Sequence, residues 1–149
     1  MRCILLVVLM AASEASFPQN SEDSIKNVIQ TLFLSMKNAD TTSFKTAFAD
    51  NSILQTVDTD KNGNVNVQNT QLKNFVDFIG KEEKGSADER IIFETIKIDG
   101  PLASVWAPYK FYYKGKFSHC GVDVFQLVNF AEGWKIQYLI DTRRKDECK

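Results

Sequence analysis

The sequence predicts an α+β domain in which helices cover one face of a curved antiparallel sheet. Three observations lead there. Leu102–Lys114, Phe117–Val128 and Trp134–Asp141 are successive runs dense in Val, Ile, Phe, Tyr and Trp, which suit a pleated, half-buried surface. Gly115 and Gly133 fall in the short links between these runs, where a hairpin needs a positive φ. Upstream, apolar residues recur at helical spacing and supply side chains to fill the concave face of such a meander.

At the start of the chain, Met1-Arg2 is positive, Cys3–Ala12 is an apolar run of ten residues, and Ser13-Glu14-Ala15 has the small residues of a cleavage site. Residues 1–15 are therefore expected to be a secretion signal peptide, with a single domain over 16–149 exported to a periplasm or the exterior. Ten residues are too few to span a bilayer. A lipid anchor would need its Cys at the end of the apolar run, whereas Cys3 stands at its beginning. A first helix retained in the fold is the alternative; Pro18 and the polar 19–23 stretch separate it from the next apolar stripe.

Ser21 is an expected N-cap, followed by Ile25, Val28, Ile29, Leu32, Phe33 and Met36 on one helical stripe. Thr41-Thr42-Ser43 is expected to cap a short second helix with Phe44, Ala47 and Phe48. Ser52–Val57 and Val65–Gln68 alternate as strands around Asp58-Thr59-Asp60-Lys61-Asn62-Gly63-Asn64. That loop begins like a calcium-binding loop, with oxygen side chains at its first, third and fifth positions and Gly at its sixth. The twelfth position, where a bidentate Glu is required, is Asn69, so a polar hairpin turn is expected instead. Thr70 is expected to cap a third helix carrying Leu72, Phe75, Val76 and Ile79 and ending at Gly80. Lys81–Glu89 reads as an exposed charged loop, and Arg90–Ile98 as one more strand closed by Asp99-Gly100-Pro101.

Composition excludes several roles. The 149 residues are 44% hydrophobic, 25% charged and 11% aromatic, which are values of one globular domain. Eighteen basic against nineteen acidic residues leave a net charge of -1, too little field for nucleic acid or an anionic membrane surface. No phosphate-binding Gly-rich loop is present, and His119 with the two cysteines left after export are too few for a usual zinc site, so no metal or cofactor is expected. In an oxidising compartment Cys120 and Cys148 could form a disulfide; a buried Cys120 beside a frayed Cys148 is the other reading.

The order of elements, with His119-Cys120-Gly121-Val122-Asp123-Val124-Phe125-Gln126-Leu127 and Gly133-Trp134-Lys135-Ile136, resembles the nuclear transport factor 2-like superfamily, a cystatin-like α+β cone. Within it the chain is most similar to the lumazine-binding branch, over roughly Asp23 to Lys145. The resemblance implies a conical cavity between the sheet and the N-terminal helices. It does not fix an activity, because the superfamily holds isomerases, cyclases, dehydratases, ligand carriers and dimerising adaptors.

If Phe125, Leu127, Trp134, Ile136 and Tyr138 share the inner face, alternation brings His119, Gly121 and Asp123 to it as well. On Leu102–Lys114 both faces are apolar, so Trp106 and Tyr109 are both candidates. The expected ligand-binding set is Trp106, Tyr109, His119, Asp123, Phe125 and Tyr138, holding a flat, partly apolar small molecule without catalysis. Acid–base catalysis by Asp123 or His119 beside Tyr109 or Tyr138 is the alternative, although no catalytic residue carries over from the resemblance. A homodimer through the outer sheet face, with Trp106 or Tyr112, is the third role and is compatible with either.

Overall fold

The computed structural model describes residues 17–148, so the expected export signal lies outside the described residues. The chain folds in the order α1 (Phe17–Lys37), α2 (Thr41–Thr46), β1 (Phe48–Thr59), β2 (Val65–Thr70), α3 (Leu72–Ile79), β3 (Ala87–Ile91), β4 (Thr95–Asp99), β5 (Leu102–Tyr113), β6 (Lys116–Phe130) and β7 (Gly133–Thr142). The strands form a sheet ordered β2-β1-β7-β6-β5-β3, with β4 on the same edge of β5 as β3. Every pairing is antiparallel except that of β1 with β7.

Helix α1 starts upstream of Ser21, which is an interior residue and not the cap. Pro18 sits in the first turn, where the missing N–H had no partner to lose. The expected stripe is buried: Ile25, Ile29, Leu32 and Met36 face the sheet, and Phe33 meets Phe125 edge-on at 6.2 Å. Each such buried side chain stabilises the fold by about 1.5–3 kcal/mol. Asp40, not the Thr-Thr-Ser run, caps α2: its Oδ1 accepts from the N–H groups of Thr42 and Ser43 at 3.1 and 3.0 Å. Thr70 is likewise the last residue of β2, and Gln71 precedes α3 without a side-chain cap.

The β1–β2 turn closes on itself. Asp60 accepts from the backbone of Asn62 and Asn64 and from the Asn64 amide, so its carboxylate is committed to the turn. At the far end of the sheet, Lys114 and Gly115 both take positive φ, 50° and 75°, as a tight two-residue hairpin requires.

Two expectations fail at the β3–β4 edge. Residues 81–89 are not wholly an exposed loop: Ser86, Ala87 and Asp88 are buried and β3 begins within them. Asp88 is tolerated there because Lys37 and Arg90 pair with it at 3.1 and 2.8 Å. Although burial opposes its charge, these two cations hold its carboxyl below the usual range. Arg90–Ile98 is also two strands. Ile91 pairs with Tyr109 but Thr95 pairs with Trp106, so three edge residues stand against Ala107 and Pro108. Pro108 has no N–H to give, and the ladder slips by one residue beside it.

The core lies between α1–α3 and the inner sheet face, where Val105, Phe125, Leu127 and Ile136 are almost wholly buried against Ile29, Leu32, Phe44 and Ile79. Beyond β7 the tail continues alongside β6: Cys120 and Arg144 exchange backbone hydrogen bonds of 2.9 Å, and a disulfide joins Cys120 to Cys148. No helix among the described residues is long and apolar enough to cross a membrane.

Candidate functional site

Strand β6 supplies the centre of the site, and its register is the expected one. Phe111 pairs with His119, Tyr109 with Gly121, Ala107 with Asp123 and Val105 with Phe125, so these alternate residues share the concave face. Asp123 is only 3% exposed and Phe125 is fully buried, whereas Gln126 is exposed. His119 is half-buried, with its ring tilted on Phe111 at 5.0 Å and edge-on to Tyr109 at 5.7 Å. Gly121 is required here: a Cβ would lie 1.7 Å from the Thr142 carbonyl oxygen and 2.9 Å from the Tyr109 ring.

Two expected site residues lie elsewhere. Trp106 pairs with Val124 and stands on the outer face, 46% exposed, because the inner face of β5 belongs to Val105, Ala107 and Tyr109. Tyr138 is also turned away. A bulge in β7 pairs Leu127 with Ile136 but Gln126 with Tyr138, leaving Gln137 as the extra residue. Tyr138 therefore shares the face of Gln126, and its hydroxyl donates to Gln55 Oε1 at 2.5 Å. Beyond the bulge the alternation is inverted, and Leu139 and Asp141 point inward opposite Phe125 and Asp123.

Asp141 is a fully engaged carboxylate. It accepts from the Thr56 hydroxyl at 2.6 Å, the Tyr109 hydroxyl at 3.2 Å and Arg143 Nε at 2.8 Å. The single Tyr109 O–H proton is divided between Asp141 and the nearer Thr142 carbonyl oxygen at 2.9 Å. Burial, and next the charge of Asp141, raise the Tyr109 phenol above its ordinary range, so it stays protonated. Burial opposes the charge of Arg143, but its hydrogen bond to Asp141 prevails and the guanidinium holds its proton more firmly than usual.

Asp123 behaves differently. The carboxyl of Glu89, on β3, faces it, and the Oδ2 of Asp123 is buried with no hydrogen-bond partner among the described residues. Burial first and the facing Glu89 second push Asp123 well above the carboxylate range, and burial pushes Glu89 up to about 7. Burial and the facing charge both oppose ionisation, so the pair favours holding a proton. Burial, then Arg143, lowers the basicity of His119, which favours the neutral imidazole.

These groups line a small cavity of about 50 Å³, walled by Phe33, Met36, Phe44 and Phe75 and carrying Glu89, Tyr109, His119, Asp123, Asp141 and Arg143. A second chamber of about 270 Å³ opens between α3 and β1–β7 and is lined by Leu54, Gln55, Thr56, Asn74, Phe78 and others. Phe75, Leu139, Asp141 and Arg143 line both chambers. A wider groove of about 550 Å³ runs between α1 and the β6–β7 turn, where Glu132 and Lys135 are the titratable residues. Lys135 is already spent on the Thr46 carbonyl at 2.6 Å, so the chemistry concentrates in the cone.

Glu89, Asp141 and Arg143 are the site residues that sequence reasoning missed. Glu89 is hidden in a charged run that reads as solvated. Asp141 is brought to the inner face only by a bulge, and Arg143 lies past the end of the strand pattern. For Glu89 there was a signal: Ala87, Glu89 and Ile91 alternate toward one face.

A family model described as Putative lumazine-binding matches residues 20–138. No curated protein matches the chain. Similar solved structures include an NTF2-like protein of unknown function from Shewanella baltica, at 18% identity and TM-score 0.67 over 88% of this chain and 99% of that one. A cystatin-like domain from Nostoc punctiforme gives 14% identity and TM-score 0.65 over 86% and 80%. A putative dehydratase of the NTF2-like family from Streptomyces avermitilis gives 12% and 0.64 over 87% and 99%. At such identities the likeness is one of fold, and it is the cone expected from the sequence.

Proposed function

The chain belongs to the family described as Putative lumazine-binding, and from that membership we propose that it holds a flat, partly apolar small molecule in the cone. The adjoining chambers of the concave face carry this reading, because aromatic and aliphatic walls there meet a few polar groups, Tyr109, His119, Asp123 and Arg143, as small-molecule sites do. The inner cavity admits only a polar head group; the ligand body occupies the outer chamber, beside Phe75 and Phe78. The two chambers joined approach the size of ordinary small-ligand sites, about 300–1,000 Å³. Native mass spectrometry of protein purified from its own host tests this. A non-covalent adduct that is lost or weakened in Asp123→Asn is expected, and an adduct-free protein would overturn it.

A second reading is acid–base catalysis in the same cavity, favoured by Glu89 standing near neutrality beside a protonated Asp123. One fold neighbour is named a dehydratase. Turnover of the co-purified compound, or its hydrogen exchange with deuterated water, would select this reading; a compound returned unchanged would select binding alone. Export through residues 1–15 and a homodimer through Trp106 and Val124 on the outer face belong to the same proposal. Intact mass of native material and its size in solution test them.

A further inference from the structure

We infer that the ligand is a small carboxylic acid whose anionic head docks on the free edge of Arg143, where the two chambers meet. This rests on the small-molecule reading above and narrows its chemistry. Arg143 lines both chambers. Of its guanidinium nitrogens, Nε donates to Asp141 Oδ2 at 2.8 Å, while the two terminal nitrogens make no hydrogen bond among the described residues on a side chain that is 51% exposed. Asp141 is in turn tied to Thr56 and Tyr109, residues of β1 and β5, so the guanidinium is held from behind by an anchored carboxylate. An Arg clamped through Nε presents its other edge as a planar fork that matches a carboxylate with two parallel hydrogen bonds.

The carboxyls around it do not forbid an anion. Asp141 is balanced by Arg143 itself and by two hydroxyl donors. Burial raises Asp123 well above the carboxylate range and Glu89 to about 7, which weakens the negative charge they present. The chamber walls then choose among anions: Leu54, Phe75, Phe78 and Leu139 form an apolar lining that inorganic phosphate cannot use and a ring or short chain can. Asp141 is a positioning residue in this arrangement, since its acceptor sites are already occupied.

The test is calorimetric titration of the disulfide-intact protein with benzoate, benzamide, benzylamine and inorganic phosphate. Benzoate is expected to bind at least about tenfold more tightly than the isosteric amide, as a charge-assisted pair should. Arg143→Gln should weaken benzoate by about tenfold or more while leaving benzamide unchanged, and Arg143→Lys, with the charge but not the fork, should fall between. Benzamide, benzylamine or phosphate binding as well as benzoate would overturn the inference, as would benzoate failing to bind. If Arg143→Gln does not fold, the wild-type comparison of acid and amide still decides. Tight benzamide binding would remove the anion site and leave the cavity reading standing. An adduct-free native protein would remove the cavity reading itself.

Discussion

Glu89 on β3 and Asp123 on β6 face each other with their carboxyls across the intervening strand β5. Both carboxyls bind their proton more tightly in the fold than in the open chain. Their contribution to stability is therefore complete in acid and is lost as pH rises through the Glu89 value of about 7. His119, whose affinity for a proton is lowered by folding, acts in the opposite sense, but only below its ordinary value of 6.5. Thermal unfolding should thus show a midpoint that falls as pH rises from about 4.5 to about 7, with Asp123 extending the fall above that. Asp123→Asn and Glu89→Gln should each flatten that fall and gain on the order of 1 kcal/mol at its alkaline end. An unchanged slope in both variants would mean that neither carboxyl holds its proton more tightly in the fold.

Gly121→Ala should be among the most damaging single-methyl changes in the sheet. The new Cβ would collide with the backbone of Thr142, which cannot yield without breaking the Tyr109 bond to its carbonyl. A loss of about 3 kcal/mol or more is expected from denaturant unfolding. A loss under about 1 kcal/mol would show that β7 can move away here.

Phe75 lines both chambers and is edge-on to Phe44 with ring centroids 5.0 Å apart. Phe75→Ala should merge the chambers into one cavity. The cost is about 1–3 kcal/mol in stability, because the ring is only partly buried. The variant should admit larger aromatic probes than the parent, measured by displacement of an environment-sensitive dye. Equal size limits in both proteins would show that Phe75 is not the partition.

Val124→Asp tests the face assignment and the proposed dimer together. Val124 is partly exposed on the outer face beside Trp106, so a charge there should cost the monomer less than about 1 kcal/mol while shifting any dimer toward monomer in light scattering. Unfolding of the monomer by this change would mean the strand is turned over and the Asp123 site is wrong.

Much of the fold is legible in the sequence because it rests on local chemistry. The α1 stripe, the glycine turns and the alternation through His119, Asp123 and Phe125 all derive from short-range periodicity, and the structure keeps them. The features that escape depend on partners far along the chain. Asp88 and Glu89 look like solvated charge until Lys37 and Asp123 are brought to them. Trp106 and Tyr109 cannot be separated by hydrophobicity, since the burial of one and the exposure of the other are decided by which strand lies opposite. The slips beside Pro108 and at Gln137 are set by pairing, and a single strand read alone does not contain its partner's register.

The inserted Gln137 divides β7 into two reading frames. Before it, even-numbered residues fill the core with Trp134 and Ile136; after it, odd-numbered residues deliver Leu139 and Asp141 to the cone. If Gln137 were instead paired in an unbroken ladder, the strand would carry Tyr138 inward and expel Asp141, and with it the brace behind Arg143. Deleting Gln137 would keep both faces as they are, whereas deleting Ile140 would turn Asp141 outward and change what the cavity can recognise more deeply than most substitutions of the residues that line it.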